Sequence, residues 1–368
     1  MNTAALDGQL LFYRGRVALY SILNALGIGT GDEVALQAFT CVAVPEAILA
    51  SGARPIYVDI EPNGWNMDAN DLAAKISSRT RAVVVQHTFG IPADLRRIGR
   101  IATAAGLPII EDCCHTMASM YEGQPIGSFG MASFYSFEWG KPLVVGIGGG
   151  VTVNDEELRK RLLQQYSSYT FPPKADQRLL TLQYLAHRVL YRPSLYWPVR
   201  GLYHLLSRLG AARGNYNPVR AGSVADDFSF RMSTPLQSRL AVKQRDLQPS
   251  THHSRRITDE YRSKISSSLL LHPAIPDQTN VVFARYPLVT DEKLRILTAA
   301  RKANVELADW YLTPVHPIPA HAGETVGYQF GSCPNAEVRC KQVVSLPTHA
   351  AVTSRDVDRA VSLLNSMA

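Results

Sequence analysis

Residues 82–112 read AVVVQHTFGIPADLRRIGRIATAAGLPIIED. An unbroken β-type run from Ala82 to Gln86 leads into helical spacing from Asp94 to Ala105, and Gly106 then opens a second apolar run, Leu107 to Glu111. Runs with no polar face belong to strands covered on both sides, and strand, helix, strand at this spacing predicts a βαβ unit in a parallel sheet.

The alternation extends in both directions. Upstream, Leu19, Ile22, Leu23 and Leu26 keep helical spacing until GIGTGD (27–32) breaks it. A short run EVAL (33–36), a helical stretch from Pro45 to Ala50 and a strand PIYVDI (55–60) follow. Downstream, ASFYSF (132–137) and Gly150 to Val153 stand too close for an intervening helix, so an antiparallel excursion of the sheet is expected there, followed by a helix from Asp155 to Tyr166. From Ser233 the pattern becomes one long helix, then strands Asn280 to Ala284 and Val343 to Leu346, and a last helix from Ser354 to Leu364. The expected fold class is α/β: a large domain (1–232) with a mostly parallel mixed sheet flanked by helices, and a smaller C-terminal α+β domain (233–368).

With 368 residues, 46% of them hydrophobic, the chain is long enough for two or three domains and is neither disordered nor collagen-like. Its net charge of +7 is local. Between Lys174 and Arg220 stand Lys174, Arg178, Arg188, Arg192, Arg200, Arg208, Arg213 and Arg220 against the single acid Asp176, which accounts for the whole excess. A body that is otherwise neutral does not read as a nucleic-acid binder. The segment mixes its arginines with Tyr184, Tyr191, Trp197 and leucines at helical spacing. That composition suits an arm packed on the body or on a partner subunit, a peripheral membrane-surface helix, or a site for an acidic substrate.

The five cysteines form no CxxC pair, the neighbours Cys113 and Cys114 are poorly placed for a disulfide, and neither has metal-ligand spacing; no metal is expected. The first residues lack a basic region followed by a long apolar run, and no 18 consecutive apolar residues occur, so a cytoplasmic protein without a spanning helix is expected.

Asp112 directly follows an apolar strand, at the sheet edge where open α/β folds carry function. Lys141 comes just past the next predicted strand, in SFEWGKPLVVGIGGG (136–150). Together they suggest a pyridoxal phosphate site, whose chemistry needs a lysine amine for a Schiff base and a carboxylate to keep the pyridine nitrogen protonated. The glycines at 146 and 148–150 precede a strand rather than a helix, so they read as a tight turn and not as a nucleotide loop.

Several blocks, in order, resemble the DegT/StrS-type sugar aminotransferases, pyridoxal-phosphate enzymes of fold type I. They are GRVALYSILNALGIGTGDEV (15–34), QAFTCVAVPEAI (37–48), GARPIYVDIEPNGWNMD (52–68), QHTFGIPADL (86–95), residues 106–141, GIGGGVTVND (146–155), FSFRMSTPLQ (228–237) and VVSLPTHAAVTSRDVDRAV (343–361). The resemblance implies Lys141 as the Schiff-base lysine, Asp112 as partner of the ring nitrogen, His115 beside the ring and Ser136 on the phosphate. It implies His87 and Arg231 as substrate contacts, although His87 reads equally well as a structural histidine. Three positions depart from the family's pattern. Arg14-Gly15-Arg16 stands for Ser-Gly-Thr, so Gly15 still allows close approach while Arg16 replaces a hydroxyl. Cys41 stands where an aromatic ring usually stacks on the cofactor, a role for which Phe39 or Phe89 is the substitute. Ser229 replaces the Asn that a neighbouring subunit gives to the phosphate. A retained lysine favours transamination over the dehydratase branch, which carries histidine there. The implied reaction converts a keto-sugar, nucleotide-linked, with an amino acid such as glutamate as donor, in a homodimer. A lyase or dehydratase on a related sugar, and a non-catalytic regulatory or scaffold protein on the same fold, remain the alternatives.

Overall fold

The run Ala82 to Gln86 lies inside a seven-stranded sheet. In the computed structural model, which describes residues 8–208 and 226–367, the strands are β1 (Leu10–Phe12), β2 (Glu33–Gln37), β3 (Arg54–Val58), β4 (Thr80–Gln86), β5 (Ile109–Asp112), β6 (Ala132–Ser136) and β7 (Gly149–Val153). Their spatial order is β1-β7-β6-β5-β4-β2-β3. From β3 to β6 every neighbour is parallel, and β7 and β1 close one edge antiparallel. The antiparallel excursion expected from the sequence is the β6–β7 pair, with Ser136 opposite Gly149.

Alternate residues of the strands feed two cores. Val83 and Val85 pack with Ala35, Val58 and Tyr135, whereas Ala82 and Val84 pack with Val34, Leu36 and Phe134. Both faces are therefore covered, which is why these strands show no polar alternation. The covering helices are α1 (Gly15–Ala25), α2 (Ala43–Ala50), α3 (Ala69–Lys75), α4 (Leu95–Ala104) and α5 (Glu156–Ser167). In α4 the cap Asp94 accepts from the Arg97 N–H at 3.0 Å, Leu95, Ile98 and Ala102 point inward, and Arg96, Arg97 and Arg100 stay in water.

The basic segment forms α6 (Lys174–Leu190) and α7 (Tyr196–Arg208); Arg213 and Arg220 lie outside the described residues. Its inner side is docked. Tyr191 donates to Glu306 at 3.1 Å, the Trp197 indole to the Val305 carbonyl at 2.8 Å, and Arg200 pairs with Asp309 at 3.0 Å. No helix among the described residues is long and apolar enough to cross a membrane.

Two expectations for the second half need correction. The single helix from Ser233 is two, α8 (Thr234–Arg245) and α9 (Leu247–Lys264), because Pro249 cannot donate to, and its ring collides with, the carbonyl four residues earlier at Arg245. The run Asn280 to Ala284 is strand only at its first residue, which pairs with Met120. Beyond it, the Val282 N–H donates to Ser119 Oγ at 2.9 Å and the Ala284 N–H to the Phe89 carbonyl at 2.9 Å, so this stretch lines the loops of the large sheet. The strand comes later, as β8 (Arg285–Val289), antiparallel to β9 (Val343–Pro347). Helices α10 (Lys293–Lys302), α11 (Pro334–Gln342) and α12 (Ser354–Asn365) complete this half, α12 opening on a Thr353–Asp356 capping box.

Glu306 ties the halves of this region together. It is buried, pairs with Arg285 at 2.9 Å and accepts from His349 at 3.1 Å. Burial alone would raise its pKa, but His349 and Arg285 bring it from 4.5 down to about 2. A depressed carboxylate stabilises the fold fully above its unfolded value and loses that contribution as pH falls toward the folded one. Stability is expected to drop by about 3 kcal/mol between roughly pH 4.5 and 2 from this group. Urea unfolding across that range measures it, and Glu306→Gln is expected to flatten the slope.

Candidate active site

Because β2, β4, β5 and β6 run parallel, their carboxyl ends meet at one edge, and Asp112 lies level with Gln86 on one side and Phe134 on the other. Asp112 is buried; one carboxylate oxygen accepts from the Cys114 N–H at 2.9 Å, and the residue makes no ion pair among the described residues. Burial raises its pKa, against the pull of that N–H and of the Lys141 charge. A buried carboxylate left in this state has a place for a cation.

Lys141 sits in the loop between β6 and β7. The loop is pinned by backbone bonds from Phe137 to Gly148 at 2.9 Å and from Val145 to Phe137 at 3.0 Å. Gly148 holds φ +152°, a backbone conformation that residues with a side chain rarely adopt, and a Cβ there would also displace the Met232 methyl. The lysine is half-buried, its amine lies 5.8 Å from the centre of the Trp310 ring, and its charge acts on Cys41, Asp112, Cys114 and His115.

His115 is buried three residues beyond Asp112. Its Nδ1 accepts from the Phe89 N–H at 3.3 Å, which puts the proton on Nε2, 3.4 Å from the Tyr311 hydroxyl. Burial and then the Lys141 charge hold its pKa well below the usual value, so the ring is neutral. It lies nearly parallel to Trp310, with centroids 6.0 Å apart and planes 16° apart.

Gly15 opens α1 against Ser136. A Cβ on Gly15 would stand 3.1 Å from the Ser136 Cβ, so any larger residue would have to push the helix start and the serine apart by a few tenths of an ångström. Around this cradle the flanking arginines are engaged within the chain. Arg14 pairs with Glu138 and Asp227, both at 3.1 Å, and Arg16 with Glu46 at 3.1 Å and Asp227 at 2.9 Å. Two buried atoms of this cluster, Arg16 Nε and Asp227 Oδ1, have no hydrogen-bond partner among the described residues.

Other expectations meet a different arrangement. His87 is fully buried: its Nδ1 accepts from the Ala93 N–H at 3.1 Å and its Nε2 donates to Glu111 at 3.2 Å. Both nitrogens are spent on the core, which leaves none for a substrate. Glu111 in turn accepts from the N–H groups of Gly127, Phe129 and Gly130, so the buried trio His87, Glu111 and Cys113 is a satisfied structural cluster. Phe39 and Phe89 are also fully buried, sealed among Trp65 and Tyr311, and offer no open face to stack on a ring. Cys41 is half-buried, with burial pushing its thiol up. Arg231 lies over Phe171 at 4.7 Å and Tyr166 at 5.8 Å, and not beside Lys141. Ser229 is exposed.

The residues that sequence reasoning missed come mainly from distant segments. Trp310 and Tyr311 bring aromatic rings to Lys141 and His115, and Asp227 reaches Arg14 and Arg16. A cavity of about 190 Å³ opens beside the lysine loop, lined by Lys141, His187, Tyr191 and His349 among others. His187 stacks on Tyr191 at 4.5 Å and touches Trp139, and burial, with the nearby His349, lowers its pKa to about 4. Nothing in the spacing of these residues links them.

Comparison with known proteins gives the same picture. The chain is 40% identical over 149 residues to the GDP-perosamine synthase of Escherichia coli O157:H7, a match covering 40% of this chain and 41% of that protein. It is 30% identical over 364 residues to the dTDP-3-amino-3,6-dideoxy-alpha-D-galactopyranose transaminase of Aneurinibacillus thermoaerophilus, covering 95% and 83%. A pleiotropic regulatory protein of Geobacillus stearothermophilus is 27% identical over 339 residues, covering 90% and 77%. Among solved structures, S. venezuelae DesV superposes with a TM-score of 0.75 at 25% identity, covering 99% of this chain and 86% of that one. The profile of one family matches residues 12–194 and 199–365: the chain belongs to the DegT/DnrJ/EryC1/StrS aminotransferase family.

Proposed function

We propose that this chain is a pyridoxal-phosphate-dependent aminotransferase that converts a keto-sugar, nucleotide-linked, to an amino sugar with an amino acid such as glutamate as donor. The observation that carries the reading is Asp112, a buried carboxylate at the sheet edge that makes no ion pair among the described residues and lies within the field of the Lys141 amine. The residues fit the cofactor at three points. Asp112 would hold a proton on the ring nitrogen, Lys141 would carry the covalent link, and Gly15 with Ser136 would cradle the phosphate. At a fourth point Asp227 holds the guanidinium groups of Arg14 and Arg16, which would have to leave it to reach a phosphate. Bound there, the cofactor supplies an electron sink for the carbon that loses its proton.

The chain's own residues do the rest. The Lys141 amine would take the proton from the donor α-carbon and return it to the carbon that becomes the product amine's. The neutral His115 ring and Trp310 would add near-parallel ring faces beside the Lys141 amine. Exposed Ser229 suits a contact with a second subunit in a homodimer, and a cytoplasmic placement and a domain division at 232/233 belong to the same reading. Incubation with glutamate and a panel of nucleotide keto-sugars, followed by mass spectrometry, tests the function: a new amine is expected, and no amine from any member counts against it.

Ser136→Ala isolates the cradle. The hydroxyl would bond a charged phosphate, so its loss is expected to weaken cofactor affinity by roughly 10-fold to 100-fold, measured by absorbance titration, with little change in unfolding midpoint. A second reading, a regulatory scaffold, is favoured by the arginine–carboxylate cluster where the family's pattern has hydroxyls. It predicts that cofactor affinity is negligible in the unaltered protein.

A further inference from the structure

Helices α6 and α7 bury one side on the body and leave the other bare. On α6 the bare side carries Leu182, Leu185 and Val189, which are 65%, 52% and 66% exposed, and on α7 it carries Leu202 and Leu205, 50% and 55% exposed. On α6, Arg178, Leu182, Leu185 and Val189 recur at helical spacing, and exposed Arg188 on the helix and exposed Arg192 just past its end add two more cations beside the apolar row. Apolar side chains exposed in such a row mark an interaction surface rather than chance exposure. Among the described residues, Arg178, Arg188 and Arg192 have no ion-pair partner, and the only acid of α6, Asp176, is half-buried.

We propose that this face rests on an anionic phospholipid bilayer. Charge complementarity decides the occupant. A second copy placed symmetrically on the same face would set arginines against arginines with no acid between them, whereas lipid phosphates meet every one. The leucines and Val189 enter the acyl boundary while the arginine stems lie along it and lift their guanidinium groups to the headgroups. The inner face explains why the helices are rigid enough to do this: Trp197, Arg200 and Tyr191 fix them to residues 305–309. An enzyme held this way would work on substrate close to the membrane surface.

The test uses the full chain loaded with cofactor and sucrose-filled vesicles made of equal parts phosphatidylcholine and phosphatidylglycerol, or of phosphatidylcholine alone. Co-sedimentation is expected with the anionic vesicles and not with the neutral ones, and it is expected to fall as salt is raised. Each arginine near the surface contributes about fivefold in partitioning, so Arg178→Gln/Arg188→Gln/Arg192→Gln is expected to lose on the order of 100-fold. Leu182→Ser/Leu185→Ser/Val189→Ser is expected to lose binding at low salt as well. Both variants alter only exposed side chains, and unchanged circular dichroism and turnover would show that they fold. Equal binding to both vesicle types, binding to neither, or variants that partition like the parent would overturn the proposal. So would a larger species in light scattering that the leucine variant abolishes without any vesicle binding, since the face would then be a protein interface.

Discussion

Lys141→Ala is expected to lower turnover by roughly 10⁴-fold, the upper range for removing a positioned proton-transfer group, and to end the covalent retention of the cofactor. Borohydride reduction followed by peptide mass mapping should add the cofactor's mass to the Lys141 peptide in the parent and to no peptide in the variant. The two readouts fail differently. If turnover falls but the mass stays on Lys243 or another lysine, the role has been assigned to the wrong side chain. If the parent itself takes no cofactor, the scaffold reading gains.

The reason for expecting so large an effect is local. Lys141 makes no ion pair among the described residues, and its field reaches four groups of the site: Cys41, Asp112, Cys114 and His115. The loop that carries it is tied to β6 at Phe137 and turned by Gly148, so the amine is placed by backbone bonds and not by a salt bridge that substrate would have to break. A small addition of amine in the assay should restore part of the turnover in the alanine variant, because the proton acceptor, not the fold, is what has been removed.

The sheet was legible because its strands are covered on both faces. Val83 to Val85 feed two cores, and that requirement writes itself into sequence as an unbroken apolar run. The positions of Asp112 and Lys141 were legible for the same reason, since each follows such a strand, whereas Ser136 was singled out only by the family resemblance. What failed was orientation. Nothing in QHTFG distinguishes a His87 aimed at substrate from one whose two nitrogens serve Ala93 and Glu111, because both need a strand end. Phe39 and Phe89 look like stacking rings until their neighbours Trp65 and Tyr311 are in place. Trp310 and Asp227 reach the site from segments far along the chain, where local periodicity carries no information about what they touch. The basic segment was legible as amphipathic, but only the docking of Tyr191, Trp197 and Arg200 divides its residues into an inner and an outer side.

Asp112→Asn is expected to separate function from stability in opposite directions. The amide keeps the shape and can still accept from the Cys114 N–H, but it carries no charge to hold a proton on the ring nitrogen. Losing one electrostatic stabiliser of this kind costs on the order of 10² to 10³ in turnover. Without cofactor, however, the wild-type carboxylate is buried with no cationic partner in contact, and burial raises its pKa, so its charge works against the fold. The variant without cofactor is therefore expected to unfold at a higher temperature than the parent without cofactor. With cofactor the order should reverse or narrow, because a ligand stabilises in proportion to its affinity and the variant binds it less tightly. Thermal unfolding of the four samples, parent and variant with and without cofactor, reads this directly. A variant less stable than the parent in both states would mean that Asp112 serves the fold, and the site would lose the observation on which it stands.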